Sequence, residues 1–328
     1  EDESVRAHTR QGKYLAKVDA YICKMFGEAG FSRVLVSFFI FLLILLLISL
    51  FLYLFFFFPS SILLPLTFIL PLPHSSISRN DSRKEFVCKS GDTDLVTETD
   101  QEVEKLLMNG LSSNFPSHKF IGEEEFSEGH RSTLTNEPTW IIDPVDGTMN
   151  FVHGFPHSCI SIALLVDKVT EIGIVFNPML KQKFTARRGK GAFYNGKKIE
   201  VSGEKELSKA LITSEFGTSK DPDKMKVVHE NFQNISKLCH GIRCLGAAAM
   251  NISMVALGAA DACYEMGMHA WDIAAGDLLV REAGGVSIDP SGGDYDMMSR
   301  RALFAASPEL AQELAKNLKQ YYPQPRDD

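Results

Sequence analysis

Apolar residues recur along this chain with two periods, and the switches between them outline the elements. Residues 18–26 (V-D-A-Y-I-C-K-M-F) have the spacing of an amphipathic helix that Gly27 or Gly30 would end. A helical stripe returns over 97–109, where Val103, Leu106 and Leu107 share a face, Thr97 or Thr99 is available as N-cap and Gly110 is the expected stop. Residues 118–122 are β-prone and run into three consecutive glutamates, and an apolar run from Trp140 ends at Asp143. Residues 158–166 and 170–176 read as strands joined by Asp167 and Lys168. Residues 183–185 and 191–194, closed by Asn195-Gly196, predict further antiparallel pairing in the same sheet.

The second half alternates helices with strands. Met225, Val228, Phe232 and Ile235 place a helix over 222–238, residues 242–245 read as a strand, and Gly246 opens an alanine-rich helix through Met250, Met254 and Leu257. Residues 260–265 form the next strand, and Asp272 stands ahead of a helix over 273–282 that Gly284-Gly285 ends. A strand over 302–306 and an amphipathic helix over 308–321 complete the pattern, leaving 323–328 as a loose tail.

One stretch fits neither period. Residues 34–78 contain no charged side chain, and a membrane-spanning helix needs roughly 20 apolar residues. Residues 34–58 could span a bilayer, with Lys24 and Arg33 biasing that flank towards the cytoplasm, whereas 59–73 carry four prolines and are too broken for a second span. The run is too long for a signal peptide. It is also dominated by Phe, Leu, Ser and Pro, which pyrimidine-only codons encode, so retained non-coding sequence is the competing reading. The chain therefore divides into an N-terminal segment with a partial first helix (1–33), an apolar low-complexity insertion (34–78) and the main folded domain (79–328).

A length of 328 residues suits one large or two ordinary domains. The net charge of -7 supplies no basic footprint for nucleic acid, and the basic scatter from Lys181 to Arg188 reads as a solvated hairpin. Six cysteines without C-x-x-C spacing indicate neither a zinc site nor a redox motif; reduced thiols in the cytoplasm are expected.

The candidate chemistry lies in the acids. Residues 140–150 read W-I-I-D-P-V-D-G-T-M-N, a strand delivering Asp143 and Asp146 into a turn where Gly147 permits close backbone approach. Two carboxylates this close repel unless a cation neutralises them, and hard oxygen ligands suit Mg²⁺. Asp100 in a helix first turn, Glu123 at a strand end and Asp272 at a helix start each have an ordinary structural explanation. Together with Asp143 and Asp146 they describe a multi-metal oxygen-ligand site. The D-x-D-G-T of haloacid-dehalogenase-like phosphatases is one residue shorter than the spacing here.

Three motifs carry a family resemblance: G-E-E at 122–124, W-I-I-D-P-V-D-G-T-M-N-F-V-H from Trp140, and H-A-W-D-I-A-A-G from His269. They resemble the paired signatures of inositol monophosphatase, within the Mg²⁺-dependent, lithium-sensitive sugar phosphatases, over about 84–321. The resemblance implies an α/β fold, a layered αβαβα sandwich, usually homodimeric, with the catalytic domain at 79–328. It implies Glu123, Asp143 and the Val145 carbonyl as ligands of one Mg²⁺, and Asp143, Asp146 and Asp272 as ligands of a second. A third, mostly water-bound ion is implied near Glu123. Asp100, Thr148 and Glu123 are implied in catalysis, with Thr148 and Asp100 orienting and deprotonating the attacking water. Substrate contacts are implied at Asp146, the N–H groups of Gly147 and Thr148, the backbone at Ala247 and Ala248, Glu265 and Asp272, and Lys89 matches a basic position on a closing loop. Hydrolysis of myo-inositol monophosphate is the activity implied. Another sugar or nucleotide monophosphate as substrate, or a membrane-anchored non-catalytic homologue, are the alternatives.

Overall fold

The computed structural model describes residues 87–88, 95–96, 98–127, 129 and 133–327. All of them lie in the second of the chain's two units, Ile77–Asp328. The expected helix at 18–26, the apolar run at 34–78, Thr97 and Lys89 fall outside the described residues.

Strands β1 (Val87–Cys88) and β2 (Leu95–Val96) pair antiparallel ahead of helix α1 (Glu98–Asn114). α1 does not stop at Gly110. Leu107, Leu111 and Phe115 are all buried, so the apolar stripe continues past the glycine, and packing it outweighs the cost of about 1 kcal/mol for glycine inside a helix.

The first sheet has seven strands in sequential order: β3 (Lys119–Gly122), β4 (Thr139–Asp146), β5 (Cys159–Val166), β6 (Val169–Asn177), β7 (Gln182–Arg187), β8 (Gly191–Tyr194) and β9 (Lys197–Ile199). Only β3 and β4 run parallel; the rest is an antiparallel meander. Its hairpins turn where the sequence places them, with Asp167 and Lys168 at φ 52° and 63° and Asn195 and Gly196 at 47° and 79°. Between β3 and β4 the short helix α2 (Glu123–Ser127) begins on the glutamates, and α3 (Thr148–His153) follows β4.

The second sheet has five strands. Its order is β11 (Gly241–Arg243), β10 (Leu211–Thr213), β12 (Ala262–Met266), β14 (Arg301–Ala305) and β13 (Val286–Ile288), the first three parallel and β14 antiparallel to both its neighbours. Helices α5 (Ala248–Ala256) and α6 (Ala270–Glu282) pack between the sheets, and α4 (Pro222–Ile235) and α7 (Pro308–Lys316) belong to the outer side of the second. With α1 against β4, the layers run α-β-α-β-α, the expected sandwich. α6 is buried almost all round, as a helix between two sheets must be.

Three further expectations are corrected. α6 begins at Ala270 rather than 273, so Asp272 sits inside its first turn. α7 ends at Lys316, where Asn317 and Leu318 leave the helical path. The tail is not loose: Asp327 N–H donates to the Met298 carbonyl (3.1 Å), and its side chain is 3% exposed. Cys159, Cys239, Cys244 and Cys263 are free thiols, and no helix among the described residues is long and apolar enough to cross a membrane.

Candidate active site

A cleft of about 880 Å³ opens where β4, α2, and the starts of α5 and α6 converge. Its floor is the D-P-V-D segment. Residues three apart on a regular strand face opposite sides of a sheet. Here Asp143 pairs with Ser161 but Asp146 with Cys159, so β4 carries one extra residue across that interval, a bulge at Pro144-Val145. The bulge turns both carboxylates to the same side. Asp143 Oδ1 accepts from the Val145 N–H at 2.9 Å, which fixes its rotamer.

Gly147 ends the segment at φ 81°. A β-carbon there would lie 2.9 Å from both the Ala247 methyl and the Gly246 carbonyl oxygen, so the position requires glycine on two counts. Thr148 then starts α3. Its hydroxyl lies 3.2 Å from Asp100 Oδ1 and 3.0 Å from the Val145 carbonyl, and one proton serves the two acceptors in turn.

Asp146 reaches across to the second half of the chain. Its two oxygens accept the N–H groups of Ala248 (3.1 Å) and Ala249 (2.7 Å), capping α5. The Ala248 N–H is thus bonded to Asp146, and Ala247 and Ala248 both line the cleft. Asp272, in the first turn of α6, accepts the His269 N–H at 2.7 Å.

Oxygens of Asp143, Asp146 and Asp272 all lie within 4.8 Å of one another. Asp143 and Asp146 are buried and Asp272 is half-buried, and loss of solvent is the largest cause raising each pKa. Asp143 stands well above the usual carboxylate range, raised further by Glu123, Asp146 and Asp272. Asp146 is pushed up to about 7 despite its backbone hydrogen bonds, and Asp272 to about 7, with Asp146 the next cause. Three close-set acids that oppose one another's ionisation leave negative charge that a divalent cation offsets, and an all-oxygen donor set suits a hard ion. Glu123 adds a fourth carboxyl beside Asp143, to which it is hydrogen-bonded.

Glu265, at the end of β12, lines the other side of the cleft. Burial pushes it to about 8, opposed by Lys224 and reinforced by Glu215. Neither neighbour stands out in the sequence. Lys224 belongs to the polar-looking first turn of α4 yet is only 3% exposed, its ammonium filling the space beneath Gly217 and Gly267, where no β-carbon fits. Glu215 Oε1 accepts from the Gly246 N–H (2.7 Å) and Asn251 Nδ2 (2.8 Å) and so holds the loop that enters α5. Asn150 pins the same loop, donating to the Leu245 carbonyl at 2.7 Å.

Comparison with known proteins gives one family. The model of the Inositol monophosphatase family matches residues 73–322. The chain is 48% identical to inositol monophosphatase 1 of Bos taurus over 243 residues, which cover 73% of this chain and 87% of that one. Among solved structures it is similar to the extragenic suppressor protein suhB of Bartonella henselae, with TM-score 0.65 and 32% identity over 72% of this chain and 89% of that one. It is also similar to the IMPase of Thermotoga maritima, with TM-score 0.64 and 32% identity over 71% and 87%. With its layered fold and acid-floored cleft, the chain belongs to the inositol monophosphatase family and is a phosphoric monoester hydrolase.

Proposed function

We propose that the protein hydrolyses myo-inositol monophosphate to myo-inositol and phosphate with Mg²⁺ as cofactor. The observation that carries this reading is the convergence of Asp143, Asp146 and Asp272 beside the Thr148–Asp100 contact. Asp143, Asp146, Asp272, Glu123 and the Val145 carbonyl would hold the metal. When bound, Mg²⁺ supplies charge neutralisation at the phosphoryl group and lowers the pKa of water.

The residues of the chain do the rest. The Thr148 hydroxyl, donating to Asp100 Oδ1, keeps its lone pairs for the attacking water, and Asp100, fully buried, is the terminal proton acceptor. No side chain becomes phosphorylated in this scheme. The N–H groups of Gly147 and Thr148 hold phosphate oxygens. Glu265, Asp146 and Asp272 receive the ring hydroxyls along the wall formed by Ala247 and Ala248. Burial keeps these acceptors out of competition with bulk water.

Lithium inhibition follows from family membership. A cytoplasmic location agrees with the free thiols, and a homodimer with the family resemblance. The test is phosphate release by the full-length chain from inositol 1-phosphate with and without Mg²⁺, with kcat/KM compared across a panel of sugar and nucleotide monophosphates. No Mg²⁺-dependent release overturns the reading; a better nucleotide or sugar substrate moves the specificity within the same chemistry.

A further inference from the structure

The tail after α7 returns to the cleft and ends against the first turn of α6. Near its end, Asp327 N–H donates to the Met298 carbonyl (3.1 Å) and Arg300 Nη1 to the Pro325 carbonyl (2.9 Å), while Arg326 pairs with Asp296 (2.9 Å) at the surface. The two contacts to the tail backbone place the Asp327 carboxylate on two donors at once. Oδ2 accepts the Ala270 N–H at 2.8 Å, and Oδ1 lies 2.8 Å from His269 Nδ1. Arg300 Nη2 lies 3.0 Å from the other ring nitrogen of His269. A guanidinium only donates, so Nε2 accepts and the ring proton sits on Nδ1, from which it is given to Asp327. The ring is further clamped by stacking on Trp271, with centroids 4.3 Å apart and planes 6° from parallel. Arg300, 3.8 Å away, offsets the charge of the buried carboxylate.

We propose that Asp327 is a positioning residue for the metal site, acting through His269 and the start of α6 on Asp272. The physical reason is competition for donors. The first amides of a helix lack internal acceptors, and a carboxylate at the third helical position folds back to satisfy them. Asp272 is such a carboxylate: Oδ2 accepts the His269 N–H at 2.7 Å. With Asp327 occupying the Ala270 N–H, Asp272 is drawn to one donor rather than two, and its remaining oxygen is left in the cluster with Asp143 and Asp146. Residues that orient a metal ligand without touching the ion set its affinity, and losing one typically weakens binding 10–100-fold. This inference rests on the reading of Asp272 as a metal ligand given above.

The test is calorimetric titration of Mg²⁺ into the full-length wild-type, Asp327→Asn and Arg326→Ala chains, with phosphate release measured in parallel. An asparagine keeps one acceptor oxygen and loses the other. D327N is expected to bind Mg²⁺ roughly 10-fold more weakly and to need correspondingly more Mg²⁺ for half-maximal activity, with kcat at saturating Mg²⁺ nearly unchanged. R326A, which removes the exposed pair with Asp296 but keeps the contacts to the tail backbone and the carboxylate, is expected to bind as the wild type does. If D327N does not fold, the pair D327E and D327Q asks the same question at equal side-chain length, and weaker binding by the glutamine variant supports the inference. A wild-type chain that takes up no Mg²⁺ overturns the metal reading and this inference with it. A wild-type chain that binds, beside a D327N (or D327Q against D327E) chain that binds equally well, overturns this inference alone.

Discussion

The Thr148 hydroxyl stands 3.2 Å from Asp100 Oδ1 although 48 positions separate the two residues. If the pair moves the proton of the attacking water, each member alone is useless, and their losses do not add. T148A and D100N should each lower kcat by about 10²–10⁴-fold, the range of a general base. The double variant should be no worse than either single one. Multiplicative losses in steady-state assays would refute a shared step.

Asp143 is opposed in its ionisation by burial first and then by Glu123, Asp146 and Asp272. Asp143→Asn removes that charge at almost constant volume. Phosphate release should fall by about 10³-fold or more if Asp143 is one of the carboxylates that hold the metal, as proposed. Thermal unfolding in the presence of a chelator should move the other way, with a higher Tm than wild type, because an uncompensated buried charge has gone. A variant that keeps its turnover removes Asp143 from the mechanism.

Lys224 should act on the polyol end of the substrate rather than on phosphate chemistry. Its cation favours ionised Glu265 against burial and Glu215. Lys224→Met should raise KM by roughly 10-fold, equivalent to about 1.4 kcal/mol, with kcat little changed. A fall in kcat at constant KM would place the lysine elsewhere in the reaction.

Glu265 also predicts a pH dependence of stability. Its folded value of about 8 lies above the ordinary 4.5, so the folded chain keeps a proton that the unfolded chain releases in between. Its contribution is therefore fully present at low pH and is lost as pH rises through about 8. Glu265→Gln abolishes this. The plot of unfolding free energy against pH between 5.5 and 7.5 should be flatter in E265Q by up to about 1.4 kcal/mol per pH unit. Parallel plots from denaturant titrations would show that Glu265 does not titrate in that window.

Much of this protein is legible locally. Hairpin turns at Asp167-Lys168 and Asn195-Gly196 announce themselves because positive φ is confined to a few residue types, and the strand periods between them survive in the seven-stranded sheet. The acids of the cleft are likewise visible as letters, since carboxylates beside Gly147 have few other uses. Element ends were less legible. Gly110 looks like a stop, and only the burial of Leu111 and Phe115 against the sheet carries α1 past it.

What only the tertiary structure decides is the direction in which these side chains point and what faces them. Asp143 and Asp146 share a side because the pairing of β4 with β5 slips by one residue, a property of two strands and not of either sequence. Lys224 looks solvated until α4 packs it under Gly217 and Gly267. Asp327 looks like the end of a tail until it meets Ala270 and His269, 57 and 58 positions away. Sequence determines chemistry and local conformation because these are set by neighbours along the chain; opposition of charges and shared donors arise between segments, and only folding brings the segments together.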